Sequence, residues 1–436
     1  MGTHEHPTTT TPDAALRERA TAVVDSHADD LVAIYQDLHA HPELGFTEHR
    51  TSSFLADELV RLGFDVVRGI GGTGVLARLD NGDGPTVMYR ADMDANAVEE
   101  ANDLPYRSTV RVTREDGTES PVGHMCGHDA HVTWMVGLAR TLVETKDAWR
   151  GTVLLVGQPA EELIQGAQAM VDDGLHDQPL MQTPDHYVAL HTAPVPVGTV
   201  ACVPGTLMAG TDQIDVLIHG VGGHGSMPHV TKDPVLMAAT AVVELQSVVS
   251  RRISPQATAV LTVGSIQAGA DNNVIPDRAL LKVNLRWFDA AVREQLVAGL
   301  RAVCDGVART AGMSEDALPE YTFKGGSTPL VNDDVQTPRL TGVLKEVLGE
   351  DKVITQMPPV TGSEDAHLLM GPHADEIAFT YLNVGVADPV LCEQAWARGE
   401  LVPYGMHSPQ YLVHLPAIAV GAKVAVAAVL ELLGRP

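Results

Sequence analysis

The chain has 436 residues, of which 44% are hydrophobic, and its formal net charge is −27 at pH 7. This length and composition allow a sizeable core and two domains. The acidic balance argues against nucleic acid or an anionic membrane as a partner, because binding to phosphate requires a basic surface.

The first 13 residues are polar and rich in threonine, without a basic start or an apolar segment. We therefore expect a disordered leader at 1–13 and no signal peptide. The chain contains four cysteines, too few for a disulfide scaffold, and this usage favours a reducing compartment. No apolar run approaches transmembrane length, so the sequence predicts a soluble, cytoplasmic protein.

Helical and strand patterns then alternate along the chain. Apolar residues at helical spacing occupy 31–38 and 54–62, separated by a proline that ends the first helix. Further on, the patterns predict strands at 75–79, 86–90, 152–156 and 186–191, with helices at 132–143 and 167–171. This alternation predicts an α/β domain with a mixed, mainly parallel sheet and helices on both faces.

Near Thr206 the pattern changes to that of a compact α+β module. The predicted strands are 213–219, 259–266, 279–286 and 321–324, and the predicted helices are 234–249 and 291–311. Their order is typical of a ferredoxin-like unit. We expect this module at 207–324, inserted into a first domain that is made of 14–206 and 325–436.

Side chains that bind metals follow the predicted strands of the first domain, and ligands collect at such strand ends in open α/β sheets. These residues are Asp92 and Asp94, then Glu161 and Glu162, then His191. A glycine-containing loop with Cys126 and His128 precedes a helix of the same layer. A thiolate with an imidazole favours zinc or another first-row transition metal.

The adjacent carboxylates Glu161 and Glu162 indicate a division of labour. Because neighbouring side chains cannot share one direction, one can ligate a metal while the other faces a metal-bound water, as metal-assisted hydrolysis requires. Alone, the pair would more simply be a solvated acidic turn, and the upstream Cys–x–His loop favours the catalytic interpretation. His407 lies in a loop, where a lone histidine is usually only solvated.

The sequence argues against a dinucleotide-binding turn and against a serine-hydrolase elbow. Segments 69–74 and 220–225 match GxGxxG, but the first precedes a strand, and Pro228 with its loop separates the second from its helix. Neither has the context of a dinucleotide-binding turn. No G-x-S-x-G elbow is present, so a serine hydrolase lacks its usual support.

These motifs together resemble the M20 peptidase/amidohydrolase family, in particular its branch of N-acyl amino acid and indole-acetyl amino acid hydrolases. The resemblance runs from about Leu31 to Leu433. It rests on the segments 39–44, 90–94, 125–129, 158–162, 222–226, 273–276 and 362–365, and on His407. The order of these segments is that of the family.

The resemblance implies a binuclear site for two divalent cations per subunit, Mn²⁺, Zn²⁺ or Co²⁺. The ligands that it implies are Cys126, His128, Glu162, His191 and His407. Cys126 matches the position that bridges the two ions, and Asp92 looks like a support for the ligands.

The implied reaction is hydrolysis of the amide bond of an N-acyl or N-aroyl amino acid, with Glu161 as the general base for a metal-activated water. His224, on the inserted module, matches a lid histidine that polarises the scissile carbonyl, often from the partner subunit. A homodimer that forms through the lid domain is therefore expected. Asn273 and Arg286 match residues that hold the carboxylate of the substrate.

The substrate remains open at this point. Gly362 and Ser363 also match substrate-binding positions, whereas 95–97 and 108–122 depart from the family pattern in regions that line the pocket of relatives. One alternative is a dipeptidase, which would need an acidic group for a free α-amine, and the sequence offers no clear one. The other is a catalytically silent, metal-stabilised binding protein, but a structural site needs no spare base beside its ligands.

Overall fold

The computed structural model describes residues 14–113 and 117–436, so the predicted leader at 1–13 lies outside the described residues. The α-helices within these ranges are α1 Ala14–Ser26, α2 Ala28–Ala40, α3 His49–Arg61, α4 His128–Glu144, α5 Gly166–Asp172, α6 Pro234–Arg252, α7 Ala290–Thr310, α8 Gln336–Leu348, α9 Pro389–Ala397 and α10 Pro416–Leu432. None of these helices is both long enough and apolar enough to cross a membrane.

The described ranges also contain 18 strands. They are β1 Asp65–Ile70, β2 Gly74–Asn81, β3 Thr86–Asp92, β4 Arg111–Thr113, β5 Glu119–Pro121, β6 Gly151–Gln158, β7 His186–Pro196, β8 Val200–Ala201, β9 Gly205–Met208, β10 Gly210–His219, β11 Gly223–His224, β12 Ala259–Ala268, β13 Val274–Ile275, β14 Arg278–Trp287, β15 Glu320–Ser327, β16 Leu330–Asn332, β17 Val353–Ile354 and β18 Ala378–Ala387.

The chain divides into two compact units. The first contains Met1–Gly205, Val331–Pro358 and Asp365–Pro436. Its eight-stranded sheet has the order β1-β2-β6-β3-β7-β18-β8-β17. The neighbours β6, β3, β7 and β18 run parallel, whereas β1, β2 and β6 pair antiparallel. This architecture confirms the predicted mixed, mainly parallel α/β sheet.

The strands β2 and β3 flank the turn at 81–84 but do not pair with each other, because β6 lies between them. β6 pairs antiparallel with β2 and parallel with β3, and all residues of β3 and β6 are buried. Strands that are covered on both faces read as continuous apolar runs, which explains their sequence. Because β3 and β6 pair in parallel, with Asp92 opposite Gln158, their carboxyl ends lie side by side.

Helix α4 carries the Cys–x–His loop at its amino end and packs in the core of the first unit. Nearly all of its side chains are buried, from His128 to Leu142. It packs against α10 at a point of close approach, where a Cβ atom added to Gly421 would lie 2.0 Å from the ring of Trp134. The absence of a side chain at this glycine therefore lets the two helices meet.

The second unit contains Thr206–Leu330 and Pro359–Glu364. Its antiparallel sheet has the order β12-β14-β10-β15. Helices α6 and α7 contact each other and the same strands, so they cover one face. Asp233 and Asp289 cap these helices by accepting hydrogen bonds from backbone N–H groups of their first turns.

The predicted module, 207–324, lies within this second unit. The prediction assigned the segment with Gly362 and Ser363 to the first domain, but the structure assigns Pro359–Glu364 to the second unit. The reason is a set of hydrogen bonds between two segments that are distant in sequence. Ala209 N–H donates to the carbonyl oxygens of Val360 and Gly362, and Ser363 Oγ donates to Ala209 O.

Candidate metal centre

A tight turn at the carboxyl edge of the first sheet holds Cys126 and His128. Between them Gly127 has φ 81°, and a Cβ atom there would lie 2.8 Å from the side chain of Thr192. Thr192 Oγ1 donates to Cys126 O over 2.6 Å, which fixes the turn to β7. The glycine is required both for its left-handed backbone and for this close approach.

Cys126, Glu162 and His407 form one cluster of possible metal ligands, with their ligand atoms all within 4.8 Å of one another. His407 Nε2 lies 3.3 Å from Cys126 Sγ and 3.2 Å from Glu162 Oε2. The thiol sulfur also lies 3.5 Å from His191 Nε2. Donors that bind one ion at about 2.0–2.3 Å in a tetrahedron lie roughly 3.3–3.8 Å apart, so these spacings suit a shared cation.

His128 lies at the centre of a second group of carboxylates. Its Nε2 is buried and has no hydrogen-bond partner among the described residues. The nearest acidic oxygens are Asp92 Oδ2 at 3.5 Å, Glu161 Oε2 at 3.7 Å and Glu162 Oε1 at 3.8 Å. A buried imidazole nitrogen without a partner, facing several carboxylates, is the arrangement that a divalent cation would satisfy.

The pKa values of these groups reflect their burial and the negative charge of the neighbouring carboxylates. Burial and the surrounding carboxylates, Glu162 foremost, raise the pKa of the Cys126 thiol well above its usual range. Burial would lower the pKa of His128, but Asp92 and the hydrogen bond to Asp94 outweigh it and raise the pKa to about 10. Burial also opposes ionisation of Glu162, whose pKa nevertheless falls to about 2 beside His407 and His128. Without a cation, a protonated thiol and the protonated ring of His128 therefore lie among the carboxylates.

Asp94 has a role at this site that the sequence did not indicate, although its place after β3 was noted. Its Oδ1 accepts a hydrogen bond from His128 Nδ1 over 3.2 Å, and its Oδ2 accepts from Glu162 N–H over 3.0 Å. This contact directs Nε2 of His128 towards the carboxylates. A second partner of this kind commonly orients metal-binding histidines.

His131 lies within the same acidic group but both of its ring nitrogens are engaged. Nδ1 donates to Asp92 Oδ1 over 2.5 Å, and Nε2 accepts from Thr192 N–H over 2.9 Å. Arg90 Nη1 donates to the other oxygen of Asp92 over 2.7 Å. Burial opposes ionisation of Asp92, but Arg90 and His128 outweigh it and hold its pKa well below the usual range.

His191 is oriented by its own backbone. Its Nδ1 donates to Thr192 O over 2.7 Å, so Nε2 is left to face Cys126. His186, at the other end of β7, pairs its Nδ1 with Gln336 Oε1 over 2.7 Å. The first unit thus brings together all of the predicted metal ligands. The predicted base Glu161 and the predicted support Asp92 lie beside these ligands.

The remaining predicted site residues lie in the second unit, at opposite ends of its sheet. His224 pairs with Val274 in the β11–β13 ladder, and Gly225 N–H donates to Asn273 O over 2.8 Å. This ladder adjoins the Arg278 end of β14, since Gly220 N–H donates to Asp277 O.

Arg286 lies at the other end of β14, where it pairs with Thr211, close to the contact of Ser363 with Ala209. Arg286 lies eight residues beyond Arg278 along β14, which is about 27 Å at roughly 3.4 Å per residue. Asn273 and Arg286 of one chain are therefore not neighbours.

Comparison with known proteins supports the family assignment. Residues 88–397 match the model of peptidase family M20/M25/M40. N-acetyl-L-cysteine deacetylase from Bacillus subtilis is 33% identical over 84% of this chain and 84% of its own length. Hippurate hydrolase from Campylobacter jejuni is 33% identical over 76% of this chain and 82% of its own length.

A solved structure gives the same result. A dinuclear metal-binding peptidase of the M20 family from Bacillus subtilis superimposes with a TM-score of 0.68 and 25% identity, over 94% of this chain and 99% of its own. The fold and the cluster of thiol, imidazole and carboxylate groups are those of a metal-dependent hydrolase. The chain belongs to peptidase family M20/M25/M40 and is an amidohydrolase of that family. The predicted resemblance is thereby confirmed.

Proposed function

We propose that this enzyme is a binuclear metal-dependent hydrolase that cleaves the amide bond of N-acyl or N-aroyl amino acids. The observation that carries the proposal is the orientation of the adjacent carboxylates at the end of β6. Glu162 Oε2 lies 3.2 Å from His407 Nε2, whereas Glu161 Oε2 lies 3.7 Å from His128 Nε2. The names of the two relatives describe enzymes that act on N-acyl amino acids, which supports the substrate class.

In this proposal Cys126, His128, Glu162, His191 and His407 hold two divalent cations. Bound cations would supply Lewis-acid activation of the water and of the amide carbonyl. Cys126 suits a shared position, since its sulfur lies 3.5 Å from His191 Nε2 and 3.3 Å from His407 Nε2. The ions are Mn²⁺, Zn²⁺ or Co²⁺.

Glu161 acts as the general base and then as the general acid. Its side chain is buried beside the ligands, where it can exchange a proton with the reacting groups. It accepts the proton of the attacking water and later donates it to the leaving amine. Such transfer contributes roughly 10²–10⁴-fold to rate.

The test separates the base from the ligands. Protein stripped of metal and reloaded with each ion is assayed by amine release against N-acyl amino acids and dipeptides, and the metal content is counted. Glu161→Gln should retain the ions and lose at least 100-fold in kcat, whereas Cys126→Ala should lose bound metal. Full activity of Glu161→Gln would refute the proposal, and preference for dipeptides would favour a dipeptidase.

We also propose a homodimer in which His224 and Asn273 serve the site of the partner subunit. The two residues adjoin the Arg278 end of β14, which lies about 27 Å along the strand from Arg286 at roughly 3.4 Å per residue, and this supports a contribution from another copy. Apolar side chains are exposed beside the edge strand β12, with Leu236 at 66% and Val243 at 69% on α6. Such a surface is typical of an interface.

Mixed dimers test this arrangement. Glu161→Gln and His224→Ala variants are each expected to be inactive, and dimers of one with the other should regain about a quarter to a half of the activity of wild type. Recovery requires that His224 acts across the interface, because only then does one of the two sites hold both native groups. A monomer in solution, or no recovery from demonstrated mixed dimers, would overturn the proposed dimer.

The four free, buried cysteines are in keeping with the proposed cytoplasmic location.

A further inference from the structure

The turn that carries Glu161 and Glu162 has an uncommon backbone. Residues 159–165, here called the glutamate turn, join β6 to α5. Ala160 has φ 47° and Ile164 has φ 53°, so a residue with a side chain adopts the left-handed conformation on either side of the glutamates. This conformation is unfavourable outside glycine and persists where the surrounding contacts hold the backbone in place. The contacts of the glutamate turn therefore determine where its two carboxylates lie.

Asp365 holds the glutamate turn at both of its ends and is itself completely buried. Gln158, the last residue of β6, donates from Nε2 to Asp365 Oδ1 over 2.6 Å. The N–H group of Ala167, in the first turn of α5, donates to Asp365 Oδ2 over 3.0 Å. One carboxylate thus ties the end of the strand to the start of the helix that the turn connects.

Arg90 links this contact to Asp92, the support of the predicted ligands. Its Nε donates to Gln158 Oε1 over 2.8 Å, and its Nη2 lies 3.6 Å from Asp365 Oδ1. Its Nη1 donates to Asp92 Oδ2. All four side chains are buried, so bulk solvent does not screen their contacts. A buried polar network whose members satisfy one another holds a single arrangement.

Two further carboxylates hold the middle of the glutamate turn. Glu48 Oε1 accepts from Ala160 N–H over 2.8 Å, and Asp94 Oδ2 accepts from Glu162 N–H over 3.0 Å. These contacts act on the residues between the ends, whereas Asp365 sets where the turn begins and where it stops.

We propose that Asp365 is a positioning residue that keeps the adjacent glutamates in their two directions. In the described geometry Glu162 Oε2 faces His407 Nε2, and Glu161 Oε2 faces His128 Nε2. Asp365 acts on both through the ends of the turn, and through Arg90 it joins the turn to Asp92. The inference rests on the proposed function of this site.

An exchange of two side chains tests the proposal. Asp365→Asn leaves one acceptor oxygen for two donors, Gln158 Nε2 and Ala167 N–H. The double variant Asp365→Asn with Gln158→Glu restores the hydrogen bonds and the charge. In it the new carboxylate at 158 accepts from Arg90 Nε and from the new amide at 365, whose oxygen accepts from Ala167 N–H.

Two properties are measured for folded protein, well below the unfolding midpoint of each variant: metal affinity by chelator competition, and kcat and KM at saturating metal. Asp365→Asn should bind metal roughly 10–100-fold more weakly and lose roughly 10–100-fold in kcat, as is usual when a partner behind the ligands is removed. KM should stay within about threefold, because substrate binding is not what Asp365 controls. The double variant should recover most of both losses.

A residue that only stabilised the fold would lower the unfolding midpoint and leave both properties of the folded protein unchanged. Glu431 provides the matched control, since it is also buried and accepts from Arg339 Nε over 2.9 Å. Glu431→Gln should retain the metal affinity and kcat of wild type. Gln158→Leu removes only the contact at the start of the turn and gives a second test, with the same two losses to a smaller degree.

Wild-type metal affinity and kcat in Asp365→Asn, or in Gln158→Leu if the first variant does not fold, would overturn the proposal. Failure of a folded double variant to recover either property would also overturn it. If wild type releases no amine from any substrate but Asp365→Asn still binds metal more weakly, the proposed function fails and the positioning role of Asp365 is supported.

Discussion

His39 provides a test of the electrostatics that we infer beneath the metal centre. Its side chain is 2% exposed and lies between two carboxylates, with Nδ1 2.7 Å from Asp129 Oδ2 and Nε2 3.2 Å from Glu100 Oε2. Burial is the largest single influence and would lower the pKa. The hydrogen bonds to Asp129 and Glu100 together outweigh it and raise the pKa of His39 to about 9.

The shift has a defined sign and size. The ordinary pKa of this histidine is 6.5, and it rises to about 9 in the folded protein. Each pKa unit corresponds to about 1.4 kcal/mol, so protonation of His39 contributes up to about 3 kcal/mol of stability. This contribution is complete below pH 6.5 and is lost as the pH rises through 9.

Urea unfolding of wild type and His39→Gln, both without metal, measures this contribution from pH 6.5 to 9.5. The variant should be less stable at pH 6.5, and the difference from wild type should shrink by about 3 kcal/mol by pH 9.5. His128, whose pKa also rises, to about 10, is common to both proteins and cancels in the difference. His414→Gln, at a half-buried position, serves as the control. A difference that stays constant over this range would refute the reasoning.

Three further predictions concern other parts of the chain. Gly421→Ala should destabilise the first unit by about 1–3 kcal/mol, measured by thermal unfolding, because the new methyl group would lie 2.0 Å from the ring of Trp134. Asp289→Ala should cost about 1 kcal/mol in the same assay, because it removes the cap of α7, and Asp277→Ala is a control at an exposed position. Burial raises the pKa of Glu48 to about 7, so Glu48→Gln should stabilise the metal-free protein above pH 7, by up to about 3 kcal/mol, but not at pH 4.5. An unchanged or lower urea midpoint of Glu48→Gln at pH 8 would contradict this last expectation.

Much of the fold could be predicted from sequence because its signals are local. The apolar runs of β3 and β6 indicate strands that are buried on both faces, and such strands belong to parallel sheets. Parallel strands end at one edge, so the sequence alone is enough to expect Asp92 and Glu161 close together. The turn around Gly127 could likewise be predicted from its local sequence.

Other features depend on contacts between distant segments and leave no local signal. The position of β6 between β2 and β3 follows from pairing across some 70 residues. The assignment of Pro359–Glu364 to the second unit follows from hydrogen bonds to Ala209. Asp94 was visible after β3, but its role depends on the direction of its two oxygens, which only the folded chain defines.

The electrostatics of the first unit explain why the predicted ligands need a cation to reach their working states. Arg90 and His128 hold the pKa of Asp92 well below its usual range, and the pKa of Glu162 falls beside His407 and His128. An imidazolium and a protonated thiol cannot ligate a metal, so binding must displace protons from these groups. The protein therefore supplies charge balance for one carboxylate and leaves the others to the ions. Asp92 is therefore a fixed support, whereas the ligand groups exchange their protons for metal.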